Sequence, residues 1–389
     1  MTEAFQFQLT SRVLAGLGRS LRLGEFLREQ GFKRPLVLLD EGVARHSPYW
    51  PQVREVLFKA APGLHVETLS GSEEPDYDYL DQVAATVRGL GGFDLVVGIG
   101  GGSCMDMAKA VAMLLTNPGR GIEYRGFDKV TIPPVPSLLA PTTAGTGSEA
   151  TINAVFTDKA EKRKLGINGR HMHAGFALLD AEWTLSCPLV AAVSSGMDAL
   201  THALESFCCR QHNSLTRMYS REAFRLLYRH LPCLVTSPTD KDKRQQLLLA
   251  SHIAGIGLFN SGSGIAGAFS YPIGVHFKVP HGMGGAIFLA SVAEYNVQRG
   301  YTDFAELLDL VEPHPDWSAE QKSRRFAEAL RQLADTLGVP RTLTRWGLTR
   351  ANADEVAALL LPLQAAFNQN PVPFSAETDA RELLLCHVE

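Results

Sequence analysis

The chain contains no run of about eighteen apolar residues and no basic start followed by an apolar stretch, so neither a membrane-spanning helix nor a secretory leader is expected. Cysteine is sparse. Six cysteines, at 104, 187, 208, 209, 233 and 386, show no CxxC and no regular spacing, which excludes a disulfide framework and a thiolate zinc site. They are expected to be small buried hydrophobes, with Cys208 and Cys209 diverging on a predicted helix. An excess of either charge is also missing. With a net charge of −4 and basic residues scattered along the chain, there is no electrostatic footprint for nucleic acid or for an anionic membrane. A cytoplasmic protein is expected. No internal repeat and no low-complexity linker breaks the 389 residues.

What is present is enough apolar material for a large core: 45% of residues are hydrophobic and 20% charged, a length and balance that suit two domains. In the first half, short β-branched runs alternate with helical stretches, the pattern of a parallel sheet covered by helices. Strands are predicted at 35–40, 65–71, 94–100 and 136–141, followed by a hairpin or excursion over 151–158 and 164–180. From Pro188 the periodicity changes to 3.6 residues, over 190–209, 215–234 and 320–337. The reading is an α/β N-terminal domain over 1–185 and an all-α C-terminal domain over 186–389.

The segment GIGGGSCMDMAKA (98–110) follows the strand DLVV and opens a helix. Glycines there allow a pyrophosphate to approach the backbone, and the amides of the helix N-terminus meet its charge. This differs from the Rossmann fingerprint, because Ser103 stands in place of the third glycine of G-x-G-x-x-G. PTTAGTGSEAT (141–151) follows another predicted strand and offers hydroxyls and amides to a nucleotide. Asp40 ends the strand PLVLLD. A carboxylate there holds a ribose diol and repels a 2′-phosphate, favouring NAD over NADP; the competing reading is a turn residue. In the second half, Asp198 and His202 lie four residues apart in GMDALTHALES, with His281 about eighty residues on in VPHG. Helical i, i+4 spacing lets a carboxylate and an imidazole converge on one divalent ion, or simply pair with each other.

GGGSCMDMAKA, PTTAGTGSEAT, LLDAEWTLS, GMDALTHALES and VPHG occur in the order seen in the iron-containing (group III) alcohol dehydrogenases, and the chain resembles that family along nearly its whole length. The resemblance implies a dehydroquinate synthase-like architecture, with a dinucleotide-binding domain, a helical metal-carrying domain and substrate in the cleft between them. Carried over by position, Gly100, Gly101, Gly102 and Ser103 meet the pyrophosphate, with Asp106 nearby. Thr142, Thr143 and Thr146 line the ribose and nicotinamide, Lys164 contacts the cofactor, Asp40 discriminates NAD from NADP, and Asn153 lies near the substrate. Asp198, His202 and His281 match three metal ligands.

The fourth does not match. The family has a histidine fourteen residues before the His of PHG and another ten before it, where this chain has Gly267 and Tyr271. His276 and His252 are the other imidazoles in this stretch of sequence. Three ligands plus water remain a workable open site for Fe²⁺ or Zn²⁺. Tyr271 is then the expected proton relay, or the hydrogen-bond donor to a carbonyl oxygen. Arg170, His171 and His173 form a basic cluster that reads either as a solvated loop or as a site for an anionic substrate group. The function expected is an NAD(P)-dependent alcohol dehydrogenase or aldehyde reductase acting on a small polar substrate, metal-assisted, as a homodimer. A metal-independent reductase on the same fold and a catalytically silent nucleotide-binding protein are the alternatives.

Overall fold

The computed structural model describes residues 4–9, 11–70 and 75–389, so Gly71, the last residue of the predicted strand 65–71, lies outside the described residues. The chain divides into two compact units. One holds Leu9–Pro188 and Thr239–His252; the other holds residues up to Gln8, Leu189–Pro238 and Ile253–Glu389.

The first unit is built on a parallel sheet in the order β1-β9-β6-β4-β2-β3. Its strands are β1 (Arg12–Ala15), β2 (Pro35–Asp40), β3 (His65–Leu69), β4 (Leu95–Gly100), β6 (Ser137–Pro141) and β9 (Phe176–Leu179). A second sheet holds β5 (Gly126–Phe127), β7 (Asn153–Asp158) and β8 (Arg163–Asn168), with β7 and β8 antiparallel. The hairpin expected over 151–180 is therefore split. Its last strand, β9, pairs in parallel with β6 and β1 in the main sheet instead of continuing the excursion.

Strands buried on both faces send alternate side chains to opposite sides. Leu36 and Leu38 of β2 pack with α4 (Tyr77–Leu90) and α5 (Gly102–Leu114), alongside Val83, Val87, Met107 and Val111. Val37 and Leu39 pack on the other face with α1 (Leu23–Gln30) and α3 (Trp50–Ala60), alongside Leu27, Val53 and Leu57. Each such fully buried aliphatic side chain contributes roughly 1.5–3 kcal/mol. From β2 the chain crosses to β3 on one side and then returns to β4 on the other, so the strand order reverses between β2 and β4. The loops at that point follow Asp40 and Gly100, and open α/β sheets bind their ligands at such reversals.

The second unit is helical. It contains α6 (Leu189–Cys208), α7 (Ser214–His230), α8 (Cys233–Thr236), the latter part of α9 (Lys241–Phe259), α10 (Ile265–Phe277), α11 (His281–Gln298), α12 (Phe304–Leu308) and α13 (Ala319–Thr336), with short helical segments continuing to Leu385. Cys104, Cys208, Cys209 and Cys233 are buried as expected. Cys187 is half-buried and Cys386 exposed, because each lies just beyond a helical segment and not on its core face.

Candidate active site

In the α/β unit the glycines are set by close packing. A Cβ on Gly100 would lie 2.4 Å from Cys104 Cβ and 2.9 Å from Asp40 Cβ, and one on Gly102 would lie 2.6 Å from Thr146 Cγ2. Only glycine lets α5 start this close to both loops. Gly101, the N-cap of α5, is different: a Cβ there would meet only Thr143, at 3.5 Å. The free amides of the first turn of α5 border that open space, so the cradle is one that a side chain would fill, and it fits a pyrophosphate.

The second loop is tied to the first through backbone and buried side chains. Thr142 N donates to Gly100 O at 2.9 Å, and Thr146 Oγ1 accepts from Ser148 N. Asp106 accepts from Ser148 Oγ at 2.5 Å and from Val155 N at 2.9 Å, and it pairs with Lys109 Nζ at 3.2 Å. Its oxygens thus fasten the TTAGTGSE loop to α5. Lys109, 2% exposed, donates to the carbonyls of Ser148 and Asn153. Burial holds its ammonium below the usual lysine range, with Asp106 acting in the opposite direction. Beneath the loop, buried Glu149 faces His252 Nδ1 at 3.1 Å.

Asp40 caps α2 (Glu41–His46) by accepting from Val43 N at 3.0 Å, so it serves as the turn residue while placing a carboxylate at the end of β2. Asn153 opens β7, and Lys164 is half-buried on β8 opposite Thr157. His173 Nδ1 binds Arg170 O at 2.6 Å, closing a local turn in the basic cluster.

In the helical unit, α6 carries Asp198 and His202 one turn apart, and His281 is the first residue of α11, with Pro280 as its N-cap. The approach of these helices depends on Gly282, where a Cβ would fall 2.2 Å from Ser194 O and 2.8 Å from Asp198 Cβ. His202 Nε2 lies 3.6 Å and His281 Nε2 3.9 Å from the same Asp198 Oδ1. Asp198 is buried, and His202 Nδ1 is buried without a hydrogen-bond partner. Ser270 Oγ stands 2.8 Å from His281 Nδ1, and the Tyr271 ring meets His281 edge-on at 5.1 Å.

Gly267, where the family pattern has a histidine, faces Glu205. The Glu205 carboxylate accepts from Gly264 N at 2.7 Å and from Gly267 N at 2.8 Å. Burial pushes its pKa up, and the two amides oppose that shift. Neither alternative imidazole replaces the missing one: His252 is engaged with Glu149 in the other unit, and His276 is exposed on the last turn of α10. Among the described residues no three His, Cys, Asp or Glu side chains form a ready-made metal cage. The donor set of one carboxylate and two imidazole nitrogens turned on it nevertheless fits a divalent ion with an open coordination position. Lys109, Glu149, Glu205 and Ser270 were not anticipated from the sequence. Only Lys109 carries a local signal, three residues after Asp106 on one helix.

The iron-containing alcohol dehydrogenase model matches residues 10–181, and the C-terminal model of the Fe-containing alcohol dehydrogenase family matches 192–384. The chain is 32% identical over 292 residues to lactaldehyde reductase of Escherichia coli K12, covering 72% of this chain and 75% of that protein. It is 28% identical over 343 residues to the NAD-dependent methanol dehydrogenase of Bacillus methanolicus, covering 88% and 89%. The crystal structure of a 1,3-propanediol oxidoreductase superposes with a TM-score of 0.91 at 26% identity, covering 98% and 99% of the two chains. The chain belongs to the iron-containing alcohol dehydrogenase family and is an oxidoreductase acting on alcohols.

Proposed function

We propose that this protein interconverts a small polar alcohol and its aldehyde with NAD(H), using a divalent ion held by Asp198, His202 and His281. The balanced reaction is aldehyde plus NADH plus a proton giving alcohol plus NAD⁺. The observation that carries the reading is that both imidazoles turn Nε2 toward one Asp198 oxygen, at 3.6 and 3.9 Å. The lactaldehyde and methanol named for two relatives support a small oxygenated substrate.

The cofactor's pyrophosphate would rest on the amides of Gly101, Gly102 and Ser103, its ribose on Asp40, and its nicotinamide side on Thr142, Thr143 and Thr146, with Lys164 as a further contact. Asp40 disfavours a 2′-phosphate by charge repulsion, so NAD is preferred over NADP. A divalent ion, Fe²⁺ or Zn²⁺, would supply Lewis-acid stabilisation of the substrate oxygen. Asp198 contributes the anionic donor and the two histidines neutral ones. Tyr271, beside His281, supplies the proton to the alkoxide in reduction and takes it back in oxidation. Asn153 orients the substrate.

The proposal includes a cytoplasmic homodimer. β1 is the end strand of the sheet, and Leu9, Val13, Leu17 and Leu21 around it are exposed, a surface suited to a second copy. Light scattering on the purified protein tests it.

Gly267 supports a second reading. Without the family's imidazole there, a reductase that polarises the carbonyl through Tyr271 alone is the alternative, and its activity would be insensitive to chelator. An NADH-oxidation screen over polar aldehydes, run before and after chelator treatment, separates the two.

A further inference from the structure

One face of α9 is set against the end of β9 and the 142–149 loop. Gln245, Leu248 and His252 lie on it at i, i+3 and i+7. Gln245 accepts from Ala181 N at 3.0 Å and donates to Leu179 O at 2.9 Å, which fastens the helix to the end of the strand. Leu248 packs with Ala177, Leu179 and Ala181, and Ala144 of the loop rests on the same cluster. One turn further along, His252 Nδ1 meets Glu149 Oε1 at 3.1 Å. His252 is 4% exposed and Glu149 1%.

Glu149 depends on that contact. Its other oxygen, Oε2, is buried with no hydrogen-bond partner among the described residues. Lys109, bound to Asp106 and to the carbonyls of Ser148 and Asn153, adds attraction to Glu149 through space. Without His252 the carboxylate would be buried with no hydrogen bond at all, and such a group leaves its place for water. Glu149 sits in the turn Ser148–Ala150 that closes the loop, so the loop would move with it. We propose that Glu149 and His252 are positioning residues: the imidazole keeps the carboxylate buried, and the buried carboxylate keeps Thr143 and Thr146 against Gly101 and Gly102, where the dinucleotide binds. The proposal rests on the reading of that loop as a cofactor loop.

The test compares the full-length protein with His252→Leu and with the double variant Glu149→Met/His252→Leu. Removing one partner strands the other, whereas replacing both by apolar side chains of similar shape can be nearly neutral. Amide hydrogen exchange over residues 142–150 is followed without cofactor, and NADH is titrated by fluorescence. His252→Leu is expected to speed exchange of the loop amides and to weaken NADH binding, each by about tenfold or more, the weight of a hydrogen bond to a charged group. The double variant is expected to return to within a few-fold of the unmodified protein on both readouts. Unchanged exchange and NADH affinity in His252→Leu would overturn the proposal. So would a double variant as impaired as the single one, because the effect would then belong to lost packing. If His252→Leu does not fold, a folded double variant supports the proposal and an unfolded one overturns it. If the unmodified protein binds no NADH, the reading of the loop itself fails, and the exchange arm still decides what holds it.

Discussion

The amide of Gly267 donates to Glu205 Oε1 at 2.8 Å, and a Cβ added at Gly267 would fall 2.8 Å from Glu205 Oε2. The place of the family's imidazole is thus taken up by a buried carboxylate bound to the backbone. Restoring the histidine means displacing that carboxylate from two amides, and overpacking of this kind costs about 1–3 kcal/mol. Gly267→His is expected to lower the thermal midpoint and to leave Zn²⁺ affinity within a few-fold. A tenfold tightening without loss of stability would show that Glu205 yields readily and that the missing ligand is simply a missing side chain.

Two neighbouring glycines should respond differently to alanine. At Gly100 the new Cβ collides with Cys104 inside the unit, so Gly100→Ala is expected to destabilise by about 1–3 kcal/mol. At Gly101 it meets only Thr143 at van der Waals distance and projects into the cradle. Gly101→Ala should keep the melting temperature and weaken NADH binding at least tenfold. Differential scanning fluorimetry and NADH fluorescence titration make the comparison, and equal NADH affinity in Gly101→Ala would show that NADH does not use the cradle.

Lys109 is the buried cation that joins Asp106, Ser148 and Asn153. Removing one member of a buried charge pair typically costs 3–5 kcal/mol, because its partner is left uncompensated. Lys109→Met is expected to lose roughly that much in denaturant unfolding and to weaken NADH binding by loosening the 142–149 loop. A variant as stable as the parent would mean the network is dispensable.

The strands that end at Asp40 and at the two glycine loops, β2, β4 and β6, were readable because each is a short apolar run ending at a turn signal. β1 escaped: only Leu14 of its four residues is buried, and its partner strand lies some 160 residues away at Phe176–Leu179. The site divides along the same line. Asp198 and His202 announce themselves by helical spacing, and the glycine loops by composition. Asp106 was readable as a residue but not in its contacts, since Ser148 and Val155 come from another loop and strand. Glu205 and Ser270 had no signal, because their meaning lies in backbone atoms of Gly264 and Gly267.

His387 provides a pH test away from the chemistry. Burial holds its pKa below the ordinary histidine value near 6.5, although the Nδ1–H bond to Arg341 O favours the charged form; Ser291 Oγ binds the other nitrogen at 3.0 Å. With the folded pKa below the unfolded one, the unfolded chain takes up more protons just under pH 6.5, so stability rises with pH across that window and is lost as pH falls through it. The thermal midpoint should fall between pH 7.5 and 5.5, and His387→Gln should flatten part of that slope. An unchanged slope would assign the acid sensitivity to other groups.

Metal-assisted, NAD(H)-dependent carbonyl reduction at Asp198, His202 and His281, as proposed, ties metal content to turnover. Metal content and aldehyde-dependent NADH oxidation should be measured together on protein purified without chelator, on stripped protein, on stripped protein resupplied with Zn²⁺ or Fe²⁺, and on Asp198→Ala. About one ion per chain is expected, with turnover lost on stripping and regained on resupply, and neither ion nor turnover in Asp198→Ala. Full turnover by ion-free protein would contradict it.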